Sequence, residues 1–231
     1  MKYRWRHASL FRYNSSKLPN PYQGRGSNSL LFLSTENTRQ TRLTHQGESF
    51  KKTSCKGANM DQETRIENLK SALRSRILIV DGAMGTSIQA LNLSPDDFGG
   101  PELEGCNEYL TLQRPEIIKG IHRSFLEAGA DILETNSFGG TPLVLGEYGL
   151  ADKAQEINRA ASELAREVAA EYSNKSRLRF VAGSIGPTTK AISVTGGVTW
   201  DELAEHYRTQ ALGLIQGNAD FLLIETSQDT L

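Results

Sequence analysis

Two acidic residues, Asp81 and Glu225, each close an apolar run: Ile77-Leu78-Ile79-Val80 precedes Asp81, and Phe221-Leu222-Leu223-Ile224 precedes Glu225. Convergent carboxylates suit an ammonium ion, which carries a full positive charge and several N–H donors. The small residues Gly82 and Ala83 follow Asp81 directly. Their backbone N–H groups can approach an anion closely, and the same residues also serve simply to make a turn. Asn136 and Ser137, just past Glu134-Thr135, and Ser184, inside Phe180–Ile185, carry groups that hydrogen-bond a polar ligand or order a loop. Glu134 precedes those loop residues and is expected to be structural. His122 and His206 are read onto exposed sides of helices, as surface histidines, and Cys106 as an ordinary loop or packing thiol.

These residues need elements to position them. Ile66, Leu69 and Leu73 recur at spacings of three and four, which predicts a helix over 61–75. The run 77–80 then reads as a buried strand, and 86–114 as a long irregular loop with Gly and Pro. Pro115 opens a second helix whose inward face is Ile118, Ile121, Phe125 and Ala128, and Gly129 ends it. A strand over 130–135 follows, then a helix over 152–172 striped by Ala154, Ile157, Ala161, Leu164, Val168 and Tyr172. A third strand spans 180–185. Thr199 and Glu202 form a capping box for a helix lined by Leu203, Tyr207, Ala211 and Leu214, which Gly217 stops before a fourth strand over 221–226.

The pattern also echoes itself. Gly129-Ala130-Asp131 leads through an apolar strand to Glu134-Thr135, and Gly217-Asn218-Ala219-Asp220 leads likewise to Glu225-Thr226. Strands alternating with helices imply an α/β fold with a parallel sheet of right-handed units. Polar groups gathered after every strand favour a barrel over a doubly wound sheet. About four βα units stand here, where a complete barrel has eight, so the chain is expected to be a fragment or one half of an assembly.

Charge divides the chain. Residues 1–59 hold 11 Lys and Arg against two acids, Glu36 and Glu48, whereas residues 60–231 hold 15 basic and 25 acidic residues. That asymmetry places a boundary near Met60, with 1–59 a basic, disordered extension or transit-type leader and 60–231 the folded body. Two cysteines build no disulfide framework, no apolar run is long enough to cross a bilayer, and the acidic body argues against nucleic acid as partner.

Taken in order, several motifs carry a family resemblance. Asp81-Gly82-Ala83-Met84-Gly85-Thr86, Gly105-Cys106-Asn107-Glu108-Tyr109-Leu110 with Arg114-Pro115-Glu116, and Glu127 through Phe138 resemble strand-end signatures of the homocysteine S-methyltransferase family, in its methionine synthase branch. Gly183, Gly186-Pro187-Thr188 and Ile224-Glu225-Thr226 complete the series, over about 65–231. The resemblance implies a (β/α)8 TIM barrel of which about the first four units are present, and a cytoplasmic enzyme that methylates the homocysteine thiol to give methionine. Asp81 and Glu225 then resemble the partners of the substrate ammonium, and Gly82 and Ala83 face its carboxylate, with Asn136, Ser137 and Ser184 as further contacts. The family's zinc ligands are cysteines from later strands and lie beyond Leu231, so no metal ligand is expected in this chain. The loop after the first strand is closer to the cobalamin branch, which implies methylcobalamin as methyl donor on another module. Two alternatives remain: a non-catalytic homocysteine-binding remnant or assembly half without the zinc site, and a Schiff-base aldolase, which the lack of a strand-end lysine disfavours.

Overall fold

The computed structural model describes residues 60–227 except Val194. The basic segment 1–59, and with it the expected leader or extension, lies outside the described residues. In chain order the elements are α1 (Gln62–Ser75), α2 (Met84–Gln89), α3 (Pro95–Phe98), α4 (Leu110–Gln113), α5 (Pro115–Ala128), β1 (Ile132–Glu134), α6 (Pro142–Leu145), α7 (Ala154–Tyr172), β2 (Phe180–Ile185), α8 (Trp200–Gln216) and β3 (Phe221–Ile224). The strands form one parallel sheet in the order β1-β2-β3, with Ile132 beside Phe180 and Ala182 beside Phe221.

Local chemistry sets the helix ends. Asp61 caps α1 by accepting from the Thr64 N–H at 2.9 Å, and Thr199 and Glu202 make the expected reciprocal box on α8. Pro115 starts α5, and Gly129 ends it in the left-handed region at φ 108°. Gly217 acts differently. Its φ is −80°, so no left-handed conformation calls for glycine there. A Cβ on Gly217 would run into the Arg159 carbonyl of α7, and one on Gly213 would lie 2.6 Å from the Gln155 carbonyl. These two glycines let α8 lie directly on α7.

Two expectations change. The run 77–80 is not a buried strand: only Val80 makes a parallel bridge, to Ile132, and Ile77 is 88% exposed. Among the described residues the segment has β1 on one side and no second strand on the other, so Ile77, Ile79 and Val80 stay exposed and only Leu78 packs against the inner core. Residues 86–114 are not a plain loop either, because they hold most of α2 and all of α3 and α4. Ser94 and Asp97 cap α3, and Ile88, Phe98 and Leu110 pack with Ile118 and Ile121 of α5, which gives these short helices a floor.

Alternation along the strands divides the core into two layers. Leu133, Val181 and Ile185 face outward and pack with Leu126, Ala165, Val168 and Leu214 from the helices. Ile132, Phe180 and Ala182 face inward and meet Leu69 of α1, with Phe221 and Leu223 against them. At the start of the strands the repeated aspartates act as clasps. Asp131 accepts from Ile79 N–H at 3.1 Å and takes Arg76 and Arg177 at 2.8–2.9 Å. Asp220 accepts from Val181 N–H at 2.8 Å and pairs with Arg65 and Arg166. Burial alone would raise the Asp131 carboxyl, but bonds from Arg76, the Ile79 N–H and Arg177 outweigh it and hold the group well below the usual carboxylate range.

The α7–α8 contact generates a direct test. Gly217→Ala and Gly213→Ala should each lower the unfolding free energy by about 1–3 kcal/mol in urea titrations. Gly85→Ala, whose Cβ would meet only Asn107 at 3.9 Å, should not destabilise. Equal effects at all three positions would remove the close-approach argument.

Candidate functional site

The inward face changes character at the C-terminal ends of the strands. Below, it is apolar; above, the alternation continues with Glu134 on β1, Ser184 on β2 and Glu225 just past β3. Asp81 joins them from the bridging segment. Its N–H donates to Ile132 O at 2.9 Å, and its Oδ1 accepts from the Glu134 N–H at 2.6 Å. Its other oxygen, Oδ2, lies 3.7 Å from His122 Nδ1. Glu225 N–H donates to Ile185 O at 3.1 Å, and Ser184 Oγ–H donates to Glu225 Oε1 at 2.5 Å. Asp81, Ser184 and Glu225, far apart in sequence, thus share one strand-end cluster with Glu134.

The other expected site residues have different positions. Ser137 is fully buried; its Oγ bonds Thr135 Oγ1 at 2.6 Å and donates to Ser184 O at 2.8 Å. Gln210 Nε2 donates to Ser137 O at 2.6 Å, which ties the knot to α8. Asn136 commits its amide to Asn107 O at 2.7 Å and Thr111 Oγ1 at 3.3 Å. Both side chains hold the loop after β1 in place. Ala83 takes a left-handed conformation at φ 56° and begins α2, so Gly82 and Ala83 make the turn at the mouth of the cluster. Phe138 closes over Gly186, where a Cβ would lie 2.7 Å from the ring.

Two members of this neighbourhood were not expected there. His122 is a correction: it is 0% exposed rather than a surface residue, with neither ring nitrogen hydrogen-bonded. The signal was present, since Ile118, Ile121, His122 and Phe125 follow the spacing of one helix face. His206 is only partly exposed. Glu134 was read as structural, yet period-two alternation from Ile132 puts it on the inward face with Ser184 and Glu225. Burial, then the charges of Glu225 and Asp81, push its carboxyl up to about 7. A separate groove of 510 Å³ lies beside the outer face of β3, lined by Leu222, Ile224, Leu203 and Tyr207, with Glu225 also on its wall.

Zinc, which the resemblance implies, does not fit the residues present. Cys106 is fully buried in an apolar cluster with Leu145, Leu150 and Ile157. Burial and the neighbouring Glu108 push its thiol up to about 11, the reverse of what a metal-binding thiolate needs. Among the described residues no group of three His, Cys, Asp or Glu could hold a metal ion, and no helix is long and apolar enough to cross a membrane.

The sign of the Glu134 shift has a stability consequence. A raised folded-state value means that its contribution is full below pH 4.5, the ordinary value, and is lost as pH rises through about 7. Glu134→Gln should therefore stabilise the protein at pH 8, by about 1–2 kcal/mol once solvent screening is allowed for, and leave it unchanged at pH 4. Thermal melts at both pH values read this; a gain of the same size at pH 4 would show that charge is not the cause.

Comparison with known proteins bears on the family. The family model described as homocysteine S-methyltransferase matches residues 78–231. Methionine synthase of Mycobacterium tuberculosis is 43% identical over 164 residues, covering 71% of this chain and 14% of that protein. The enzyme of that name from Mycobacterium leprae is also 43% identical over 164 residues, with 13% of its length covered. The chain thus spans about a seventh of the curated relatives it matches. Among solved structures, the homocysteine methyltransferase MmuM from Escherichia coli in its oxidized form aligns with a TM-score of 0.54 at 25% identity, over 67% of this chain and 55% of that one. Its metallated form gives 0.56 at 24% identity, over 68% and 57%. With strand-end motifs, an α/β fold like that of MmuM and a family match over most of its length, the chain belongs to the homocysteine S-methyltransferase family.

Proposed function

We propose that this chain serves methyl transfer to the homocysteine thiol, forming methionine, and that its part is to grip the amino-acid end of homocysteine. The observation that carries this reading is the row of Asp81, Glu134, Ser184 and Glu225 at the C-terminal strand ends, where barrel enzymes place their sites. No Lys or Arg forms an ion pair with its three acids among the described residues; the one recorded partner is His122, beside Asp81. A cluster of that charge suits an ammonium ion.

In this reading the bridging segment and β1, β2 and β3 are the first four staves of a (β/α)8 barrel. The parallel order β1-β2-β3 and the likeness to MmuM support it. Glu225, aligned by the Ser184 hydroxyl, and Asp81, fixed by the Glu134 N–H, face the ammonium from two sides. The turn at Gly82 and Ala83 offers N–H groups to the substrate carboxylate. Asn136 and Ser137 keep the loop after β1 in position, so they act on the substrate through the shape of the pocket. Zinc, when bound in such enzymes, lowers the thiol's affinity for its proton; the residues described here supply no site for it. Methylcobalamin as donor, carried on another module of a cytoplasmic protein, belongs to the same reading, and the likeness to two proteins named methionine synthase supports it.

Titration calorimetry of the full chain with L-homocysteine tests the grip. Binding is expected, with Glu225→Gln weakening it about tenfold or more and Ser184→Ala by less. Homocysteine affinity that ignores Glu225 would place the amino group elsewhere.

A further inference from the structure

We propose that Glu134 is the proton-bearing member of the strand-end cluster, and that the ammonium group of the bound amino acid displaces that proton to solvent. The inference rests on the homocysteine-grip reading and adds a proton to it. The two ends of the sheet supply the argument. At the N-terminal ends, Asp131 and Asp220 are each matched by two or more arginines and a backbone N–H. At the C-terminal ends, Asp81, Glu134 and Glu225 converge with no such cation among the described residues. Asp81 Oδ1 takes the Glu134 N–H and Glu225 Oε1 takes the Ser184 hydroxyl, while the Glu134 carboxyl accepts no hydrogen bond from the described residues. Three carboxylates this close cannot all ionise without a counter-charge, and the one lacking a donor keeps the proton.

A second observation, independent of the acids, comes from behind the cluster. His122 is wholly buried, neither of its nitrogens has a hydrogen-bond partner, and Nδ1 points at Asp81 Oδ2 from 3.7 Å. A buried polar ring without partners calls for an explanation. His122 stands behind Asp81 without a hydrogen bond, and among the described residues no Lys or Arg pairs with the acids from the other side. A ligand cation fits that place. The titratable groups facing Glu134 are thus Asp81 from the bridging segment, Glu225 from the end of β3, and His122 of α5 behind Asp81. Burial and the first two acids raise Glu134 to about 7.

The step balances simply. Glu134–COOH and R–NH3+ become a carboxylate–ammonium pair, and one proton leaves for solvent. The sign follows: binding is strongest above pH 7 and weakens as pH falls below it, because the proton then competes with the ligand. L-methionine carries the same ammonium and no thiol, so it serves as a probe free of thiol titration. Calorimetry of the full chain with L-methionine and L-homocysteine should show affinity falling about tenfold from pH 8 to pH 6 for both ligands. At pH 6.5, buffers of different ionisation heat should report roughly three-quarters of a proton released per ligand, and close to none at pH 8.5. Glu134→Gln should bind with no such slope and no such release. The proton count on the unaltered chain stands even if that variant fails to fold. Binding without a pH slope or proton release, or a slope that persists in Glu134→Gln, overturns the proposal and spares the grip. Binding of neither ligand at any pH overturns both.

Discussion

The buried carboxylate of Asp131 is the constraint around which the first half of the sheet is organised. It takes the Ile79 N–H from the bridging segment, Arg76 from the end of α1, and Arg177 from the approach to β2. Left without these partners, an ionised group buried at that depth would cost several kcal/mol. The carboxylate therefore determines where three separate stretches meet. Asp220 repeats the device one unit later, joining Arg65 of α1, Arg166 of α7 and the Val181 N–H of β2. Because α1 reaches both clasps, it closes the bottom of the inner layer and puts Leu69 against Ile132, Phe180 and Ala182.

The same acidic chemistry has the opposite setting at the other end. There the carboxylates of Asp81, Glu134 and Glu225 lie at the mouth of the sheet, and the groups around them are N–H and hydroxyl donors rather than guanidinium ions. The difference between the two ends follows from one geometric fact. In a parallel sheet every strand ends on the same side, so residues two apart along each strand line up in rows across the sheet. The lower rows are filled with apolar side chains and hold the fold; the upper row is polar.

The loops beyond that row are built with unusual economy. Hydrogen bonds link Thr135, Ser137, Ser184 and the Gln210 amide N–H across three elements, and Asn136 and Glu108 tie the loop after β1 to the short helices before α5. Burial raises Glu108, whose Oε1 nevertheless accepts the Gly139 N–H at 2.7 Å. With the Gly186 N–H donating to Phe138 O at 3.0 Å, these bonds hold Phe138 over Gly186 and tie the two strand-end loops together.

Much of this was legible in the chain itself. Caps at Thr199 and Gly129, the stripes of α5 and α7, and the six-residue apolar run of β2 are local signals, and local physics is enough to form them. The family resemblance, too, rests on ordered short motifs that are read without coordinates. The run Ile77–Val80 was misread because a strand's burial depends on what lies to both sides of it, which periodicity does not carry. His122 was misplaced although its spacing matched the buried face, because a polar type was given more weight than its position. Glu134 was set aside although alternation put it on the inward face. What only the tertiary structure decided is which polar atoms are already taken. Asn136 and Ser137 are bound to their own loop, whereas Glu134 stands without a donor between two other acids. Sequence determines which residues end the strands; only the packed sheet, by bringing residues 81, 134, 184 and 225 within one another's fields, determines which carboxyl goes without a donor among the described residues.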